Sequence, residues 1–268
     1  INIIGSDVSG KQGTTLFAAN DINILAAEQQ RHNRSDNTSS GWNAGIAVSY
    51  GQGGASFGVT AGANKGKGFG NGDEVIWRNS HVGDMDSQTT LISGGDTTLR
   101  GGQLLGKGVD ITAQNLNIES LQDTMTWRGE QKNMGGQVTV GYGFSASGNY
   151  SQSKVNADYA SVQEQSGVFA GSDGYNINVK DHTDLVGGLI TSSDSAEQAG
   201  KNQFSTGTLS WRDINNHSDY EGNGFGIGGS VSMNTDLGLG DNAAPQSDKT
   251  VTDKNGNTHL ADGYASLD

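Results

Sequence analysis

Three stretches of this chain alternate strictly between apolar residues and glycine or small polar residues. They are Trp42–Tyr50, Val138–Ala146 and Phe225–Met233, and they recur about every 90 residues. A period of two sends successive side chains to opposite faces of a β-strand, so each stretch predicts a strand with one apolar face. The recurrence predicts an internal repeat. Repeat arrays bury their core by stacking units, and they usually serve as scaffolds or interaction surfaces.

The segments between these stretches carry a second repeated pattern. Ile3–Lys11 and Leu99–Lys107 match in their apolar positions and outer glycines, and Leu185–Ile190 keeps the first half. Apolar runs of three to five residues, separated by Gly, Asn, Asp or Ser, favour coils of short parallel strands, with on the order of 20 residues a turn and about eight to nine turns. The predicted core comprises Ile3, Val8, Leu16, Ile24, Leu99, Leu104, Ile111 and Ile118.

The predicted organisation is one repeat region followed by a short terminal segment. Residues 1–234 form about 2.5 repeats of about 90 residues. In residues 235–268, Val251 and Leu260 flank an Asn-Gly turn signal, which predicts a connector carrying a small β-hairpin. Ser195–Lys201 fits either a helical turn or a loop. The chain starts within a strand pattern at Ile1–Ile4, so we expect it to be a piece of a longer protein.

The amino-acid composition limits both the fold and the classes of partner that the chain could bind. The chain has 43 glycines and one proline, which suits many tight turns and central strands. Its formal net charge is −13, which disfavours nucleic acid and anionic membrane surfaces, because both require a basic footprint. The chain has no cysteine, so disulfides cannot stabilise it.

No motif for catalysis or for a cofactor stands out. Gly224–Gly229 has the spacing of a dinucleotide loop, but it continues into a strand pattern and not into a helix. Asp253–Asn257 begins like a calcium loop but lacks the required glycine and the closing glutamate. We therefore predict no enzyme activity, no metal and no cofactor. A polysaccharide-active β-helix enzyme stays an alternative because of two acidic pairs, Asp84 with Asp86 and Asp181 with Asp184.

One segment resembles a known family. Asn202–Tyr220 resembles the Thr-Gly-Thr-Leu segment of haemagglutinin repeats in two-partner-secreted exoproteins of Gram-negative bacteria, and Gly101–Leu104 and Gly108–Ala113 look similar. The resemblance covers roughly residues 1–234 and is greatest to the contact-dependent growth-inhibition (CdiA-type) toxins; filamentous-haemagglutinin-like adhesins are similar. It implies an all-β fold, a right-handed parallel β-helix (a solenoid) with glycine-rich β-hairpin excursions.

The resemblance also implies a function and partners. It implies a secreted virulence protein on the cell surface, exported by the outer-membrane transporter of its own secretion system. The region would support delivery of a covalently linked C-terminal toxin, not contained in this chain, across the target-cell outer membrane. The expected contacts are that membrane or its proteins, and no nucleic acid. An adhesin shaft that binds host or bacterial surfaces is the alternative.

The alternating hairpins are the candidate contact sites. Transmembrane β-strands have about 10 residues of such alternation, with the apolar residues facing the lipid. The competing interpretation is that the apolar face packs against the β-helix or extends its sheet. The candidate membrane or partner contacts are Trp42, Ile46, Val48, Tyr50, Phe57, Val59, Val138, Val140, Tyr142, Phe144, Phe225, Ile227 and Val231.

Overall fold

The computed structural model describes residues 1–51, 54–141, 143–234, 250–252 and 258–260, with side chains at 1–46, 58–141 and 143–233. Its described part is nearly all β-strand, as predicted. No helix among the described residues is long and apolar enough to cross a lipid bilayer. The side chains of Val48, Tyr50, Phe57 and Tyr142 lie outside the described residues.

The chain forms two compact units. The parallel unit comprises residues 1–31, 73–126 and 158–219, and the antiparallel unit comprises 32–72, 127–157 and 220–268. The elements in chain order are β1 (Asn2–Ile4), β2 (Asp7–Val8), β3 (Thr14–Ala18), β4 (Ile22–Leu25), β5 (Ala27–Gly51), β6 (Gly54–Arg78), β7 (Ser80–Ser93), β8 (Thr97–Arg100), β9 (Gly102–Glu119), β10 (Asp123–Gly141), β11 (Gly143–Ser161), β12 (Gly167–Val186), β13 (Leu189–Ser192), α1 (Asp194–Gln198), β14 (Gln203–Ser205), β15 (Thr208–Arg212), β16 (His217–Asn234), β17 (Thr250–Thr252) and β18 (Thr258–Leu260).

The parallel unit consists of three ladders of parallel strands in one 11-stranded sheet. The first ladder joins β1, β4, β8, β9, β12 and β15, with Ile24 beside Leu99 and Leu99 beside Ile118. The second joins β2, β7, β9, β12 and β13, and the third joins β3, β7, β9, β12 and β14. The long strands β9 and β12 each run through all three ladders.

The chain passes through the ladders in five rounds, which we number in chain order. They cover residues 7–25, 80–100, 102–119, 167–186 and 189–212. The sequence prediction of about eight to nine turns is wrong. The structure has fewer turns because β5, β6, β10, β11 and β16 extend well beyond the alternating stretches and leave fewer residues for the parallel unit.

Inward-facing aliphatic side chains from all three ladders form one core. Ile24, Leu99, Leu104 and Ile118 are fully buried, and Ile111 is only 1% exposed. Ile3 and Leu16 are partly buried against the same cluster. Burying one such side chain stabilises the fold by about 1.5–3 kcal/mol. The prediction of Val8 as a core residue is wrong: Val8 is 37% exposed because β2 is an edge strand that pairs only with β7.

The turn between the first and second ladders alternates between two forms. Gly5, Gly101 and Gly187 make tight turns with φ of 54°, 66° and 58°. Their N–H groups donate hydrogen bonds to the carbonyls of the strand stacked next to them in the first ladder (2.9, 3.0 and 2.9 Å). At the same place in the alternate rounds the chain leaves into β5, β10 or β16. This alternation gives the sequence its repeat of two rounds and one hairpin.

The antiparallel unit is a five-stranded sheet in the order β16-β11-β10-β6-β5. Gly41 lies beside Asn64, Gly62 beside Asn43 and Gly66 beside Ser39, so residue numbers fall along β6 as they rise along β5. The remaining neighbours follow the same rule, with Gly68 beside Gln131, Gly135 beside Asn149 and Gly228 beside Asn149. The sheet is therefore an antiparallel meander. Separately, β17 and β18 pair antiparallel, with Val251 opposite His259.

Candidate membrane or partner interface

The five-stranded sheet has two chemically distinct faces. Side-chain contacts assign residues to them. Gln137 Nε2 donates to Thr60 Oγ1 at 2.8 Å on one face, and Gln152 Nε2 donates to Glu130 Oε1 at 2.8 Å on the other. Side chains alternate between the two faces along a strand, so one such contact assigns all residues of that strand to one face or the other.

The first face, which we call the polar face, consists almost entirely of uncharged polar residues and glycine. Its described members include Asn37, Ser39, Asn43, Thr60, Asn64, Gln131, Asn133, Gln137, Thr139, Asn149 and Ser151. Glycines lie between their amides and hydroxyls. A methyl group added at Gly68 would lie 2.0 Å from Gln131 Oε1 and 2.8 Å from Asn37 Oδ1. The same methyl group would lie 2.8 Å from the backbone oxygen of Glu130, which cannot move aside as the end of a side chain can, so glycine is favoured there.

The opposite face, which we call the apolar face, carries the predicted contact residues. Trp42, Ile46 and Val59 are 82%, 76% and 65% exposed. The other described candidates are also exposed: Val138, Val140, Phe144, Phe225, Ile227 and Val231. Met134 and Met233 extend the same exposed face. The structure thus brings side chains from all five strands into one apolar surface.

The described side chains of this face are exposed. Packing of the face against the β-helix, or extension of its sheet, stays the competing interpretation. Apolar packing within the face is limited. Tyr150 and Phe225 form the one aromatic pair among the side chains that the structure describes, with ring centroids 5.6 Å apart. An exposed apolar surface contributed by several strands is uncommon in a soluble protein and usually marks an interaction site.

Charged residues on this face occupy the strand halves farther from the β5–β6 and β10–β11 turns. They include Lys65, Lys67, Arg128, Glu130, Lys132 and Lys154. Lys132 Nζ lies 2.5 Å from Glu130 Oε1, and the Lys132 ammonium holds the pKa of the Glu130 carboxyl below its usual range. The half nearer these turns carries no charge among the described residues. The face is therefore divided into an apolar band and a charged band.

The acidic pairs that kept an enzyme as an alternative have structural partners. Asp84 Oδ1 accepts a hydrogen bond from the Asp86 N–H at 2.8 Å within β7, where the strand register shifts. Asp181 Oδ2 accepts from Gln114 Nε2 at 2.7 Å, and Asp184 Oδ1 accepts from the Ser210 hydroxyl at 2.5 Å. The contacts of Asp181 and Asp184 join neighbouring rounds. Among the described residues, no group of three or more His, Cys, Asp or Glu could hold a metal ion.

One charged cluster in the parallel unit escaped the sequence analysis. His81 lies between two carboxylates: Nδ1 is 2.7 Å from Asp7 Oδ1, and Nε2 is 2.5 Å from Glu164 Oε1. Partial burial lowers the pKa of His81, but hydrogen bonds to Glu164 and Asp7 and their negative charges outweigh it, so the pKa is raised. The three residues lie up to 157 positions apart in the chain, so no local motif could reveal them.

Comparison with known proteins places this architecture in a family. The family model described as "Hemagglutinin repeat" matches residues 1–136, about half of the chain. The chain belongs to the hemagglutinin-repeat family. The matched segment contains the first hairpin, two glycine turns and three of the five rounds. The repeat region is accordingly a structural module of CdiA-type exoproteins.

Curated relatives match nearly the whole chain. "Toxin CdiA" of Escherichia coli is 34% identical over 271 residues, which covers 98% of this chain and 8% of that protein. "tRNA nuclease CdiA" of Yersinia mollaretii is 37% identical over 235 residues, which covers 85% of this chain and 8% of that protein. "Deoxyribonuclease CdiA" of Yersinia pseudotuberculosis is 35% identical, which covers 90% and 22%. The chain thus spans a small part of each relative. No solved structure matches it significantly.

Proposed function

We propose that this chain is a non-catalytic repeat module of a secreted exoprotein on the surface of a Gram-negative bacterium. Its role is to support delivery of a C-terminal toxin across the outer membrane of a target cell. The relatives named as a toxin and as nucleases support the toxin context. Because this chain covers only a small share of their length, the proposal assigns the toxin to the rest of the exoprotein. Export through a dedicated outer-membrane transporter is part of the same proposal.

The finer fold proposed for the parallel unit is a right-handed parallel β-helix. Three ladders, rounds of about 20 residues and one shared core support this arrangement. Such a solenoid gives a stable frame from which hairpins leave at a fixed turn in every second round. The parallel unit is then the scaffold, and the antiparallel sheet is the functional surface.

The observation that carries the proposal is the exposed apolar face of the antiparallel sheet. Strands that cross an outer membrane alternate apolar and small or polar residues over about 10 residues. The half of each hairpin nearer its turn has this composition, with Trp42 to Ile46, Val59 to Ala63 and Val138 to Val140 free of charge. The apolar face would meet lipid, and the uncharged polar face would remain hydrated.

Three lysine substitutions test this proposal. Val140→Lys and Ile227→Lys each place a charge on the apolar face, whereas Thr139→Lys places the same charge on the polar face of the same strand. Burying lysine on a lipid-facing strand costs about 2–4 kcal/mol. We expect the first two variants, in the full exoprotein, to lose toxin delivery while fold and surface display persist.

Delivery is measured as growth inhibition of target cells, and display as antibody labelling of intact producing cells. Thr139→Lys is the matched control and should retain delivery. If Val140→Lys and Ile227→Lys deliver toxin at the parental level with normal display, the apolar face has no role in membrane entry.

A further inference from the structure

The charges of the antiparallel unit all lie on one of its two faces. Within residues 32–72, 127–157 and 220–233, strand alternation assigns every Lys, Arg, Asp and Glu to the apolar face and none to the polar face. The three central strands β6, β10 and β11 contribute one carboxylate, Glu130, and five cations: Lys65, Lys67, Arg128, Lys132 and Lys154. The net charge of −13 is a sum over the whole chain, so it conceals this local excess of positive charge.

The carboxylate of the central strands is already paired. Lys132 Nζ lies 2.5 Å from Glu130 Oε1, and Gln152 Nε2 donates to the same oxygen at 2.8 Å. Two further carboxylates of this face, Asp36 and Glu221, belong to the outer strands β5 and β16. The other cations of the central strands are exposed, and no described acidic side chain forms an ion pair with them: Lys65, Lys67, Arg128 and Lys154. We call these four residues the unpaired cations.

The unpaired cations begin where an uncharged run of membrane-crossing length ends. Such runs occupy residues 54–64 of β6, 133–141 of β10 and 143–153 of β11, and they are 11, 9 and 11 residues long. A tilted β-strand needs about 9–11 residues to cross the hydrocarbon core of a bilayer. When the uncharged half of the sheet spans that core, the cations of all three strands lie at the level of the lipid headgroups.

An aromatic pair marks the boundary between the apolar band and the charged band. Tyr150 packs against Phe225 with ring centroids 5.6 Å apart. The Tyr150 hydroxyl donates to Gln152 Oε1 at 3.1 Å, and the Gln152 amide donates in turn to Glu130 of the charged band. Aromatic residues with one apolar end and one polar end are enriched where a membrane meets water. The boundary therefore has the composition of a membrane–water interface.

The arrangement of the two bands selects the class of anion. A bilayer with anionic lipids presents a negatively charged phosphate layer directly beside an apolar layer. Nucleic acids also present closely spaced phosphates, but they have no apolar layer next to them. Binding to a nucleic acid would therefore leave the apolar band in water, whereas a lipid surface covers both bands at once.

We propose that the unpaired cations bind the phosphate groups of anionic membrane lipids while the apolar band meets the acyl chains. The inference rests on the proposed membrane role of the apolar face, and it adds the lipid chemistry that holds this face at a defined depth. The guanidinium of Arg128 can donate two parallel hydrogen bonds to a phosphate, and the three lysines act as point charges.

Vesicle flotation of the whole chain tests the proposal. The vesicles consist of zwitterionic phosphatidylcholine alone, or of phosphatidylcholine mixed with phosphatidylglycerol. We expect binding to the mixed vesicles, and the double variant Lys65→Gln with Lys67→Gln should bind them about 25-fold more weakly, since each cation near an anionic surface contributes about fivefold. Raising the salt concentration should weaken binding of the parent more than binding of this variant, because salt screens exposed charges.

The matched control removes the same charge from the parallel unit. Lys11 and Lys180 are exposed lysines of that unit. Lys11→Gln with Lys180→Gln should therefore bind the mixed vesicles as tightly as the parent. Inorganic phosphate should displace the parent no more than chloride of equal ionic strength, since free phosphate cannot cover the apolar band.

Fluorescent labels on single cysteines measure depth in the mixed vesicles, because the chain has no cysteine of its own. Thr38 lies at the level of the charged band, since its neighbour Ser39 contacts Gly66, between Lys65 and Lys67. A nitroxide on the lipid headgroup should quench a label at Thr38→Cys more strongly than one at Ile46→Cys. A nitroxide deep in the acyl chain should show the opposite preference.

Four results would overturn the proposal. They are no binding of the parent to mixed vesicles, equal binding to both kinds of vesicle, undiminished binding of the Lys65→Gln and Lys67→Gln variant, and equally tight binding of duplex DNA that the same variant loses. The last result would make the charged band a general polyanion site.

The depth measurement separates this inference from the membrane role on which it rests. Acyl-chain quenching at Ile46→Cys without headgroup quenching at Thr38→Cys would leave the membrane role standing and overturn the phosphate assignment. Headgroup quenching at Thr38→Cys without acyl-chain quenching at Ile46→Cys would support phosphate binding and contradict entry of the apolar face into lipid.

Discussion

The two units use the same element, the β-strand, in opposite ways. In the parallel unit, Ile111 is 1% exposed and contacts a core built from three ladders. In the antiparallel unit, Ile227 belongs to an equally apolar row but is 58% exposed. Strand propensity is similar in both places. The difference lies in whether other strands face the apolar side chains.

This comparison separates the source of stability from the candidate interaction site. Apolar side chains stabilise a fold in proportion to the area they remove from water. The inward-facing residues of the parallel unit do so within the chain. The apolar face of the antiparallel unit has no such cover among the described residues, so its apolar area remains available to an external partner.

The largest expected contrast comes from truncating one isoleucine in each unit. Ile111→Ala should lower the free energy of unfolding by about 2–5 kcal/mol, because it leaves a cavity in a packed core. Ile227→Ala should change it by less than about 0.5 kcal/mol, as is usual for surface substitutions. Urea denaturation followed by circular dichroism measures both.

Equal destabilisation by the two substitutions would mean that the apolar face is buried within the free protein. In that case the face would not be available to a membrane or to another partner. A small effect of Ile111→Ala would instead argue against the shared core of the three ladders.

The sequence predicts the parallel unit better than the antiparallel one. Alignment of Ile3–Lys11 with Leu99–Lys107 correctly anticipates equivalent turns, since Gly5 and Gly101 share a positive φ and the same hydrogen bond. Apolar pattern also finds most of the core. The prediction fails at Val8, because the apolar pattern indicates which face of a strand a side chain occupies. It does not indicate whether another strand stacks next to that strand and covers the side chain.

The sequence predicts that the hairpins exist, but it does not predict how long their strands are. The alternation begins at Trp42, whereas β5 begins at Ala27. Residues 28–40 are polar on both faces, so they carry no period-two signal. The apolar face was visible as a pattern in each strand. Its exposure, and the joining of five strands into one sheet, depend on pairing between residues far apart in sequence.

A smaller difference in stability is expected between alanine substitutions at two glycines, one in each unit. Gly101 has φ of 66°, and an added Cβ would lie 2.4 Å from Ala26 Cβ. Gly101→Ala is therefore strained in its backbone and sterically blocked, and we expect a loss of about 1–3 kcal/mol. Gly229, in β16 of the antiparallel unit, would meet no atom within 4 Å, so Gly229→Ala should be close to neutral.

Thermal or chemical denaturation of both glycine variants checks this expectation. If Gly101→Ala proved neutral, the glycine turn would not be required at this place in the round. If Gly229→Ala proved strongly destabilising, the apolar face of β16 would be packed against something in the free chain.

The smallest expected effect is a pH dependence of the unfolding free energy that arises from one cluster in the parallel unit. Asp7 and Glu164 face the imidazole of His81, and Arg78 Nη2 lies 3.9 Å from Asp7 Oδ2. Because the pKa of His81 is raised in the fold, its contribution is fully present below the ordinary histidine value of about 6.5. That contribution is lost as the pH rises through the raised pKa of the folded state.

The hydrogen bond from His81 lowers the pKa of the Asp7 carboxyl, which has the opposite consequence. The contribution of Asp7 is present above its ordinary pKa and is lost as the pH falls through the lowered value. The pair of His81 and Asp7 should therefore stabilise the fold most in the mildly acidic range, where the imidazole is charged and the Asp7 carboxyl is ionised.

Replacing His81 by glutamine isolates this effect, since glutamine can still donate one hydrogen bond but does not titrate. The difference in unfolding free energy between the parent and His81→Gln should be larger at pH 6 than at pH 9. Asn23→Gln is a suitable control, because Asn23 lies at a half-buried ladder position and donates to Asn2 Oδ1 without any titrating group. The difference in unfolding free energy between the parent and Asn23→Gln should be the same at pH 6 and at pH 9. A His81→Gln difference that is equally independent of pH would show that the imidazole is not charged between its two carboxylates.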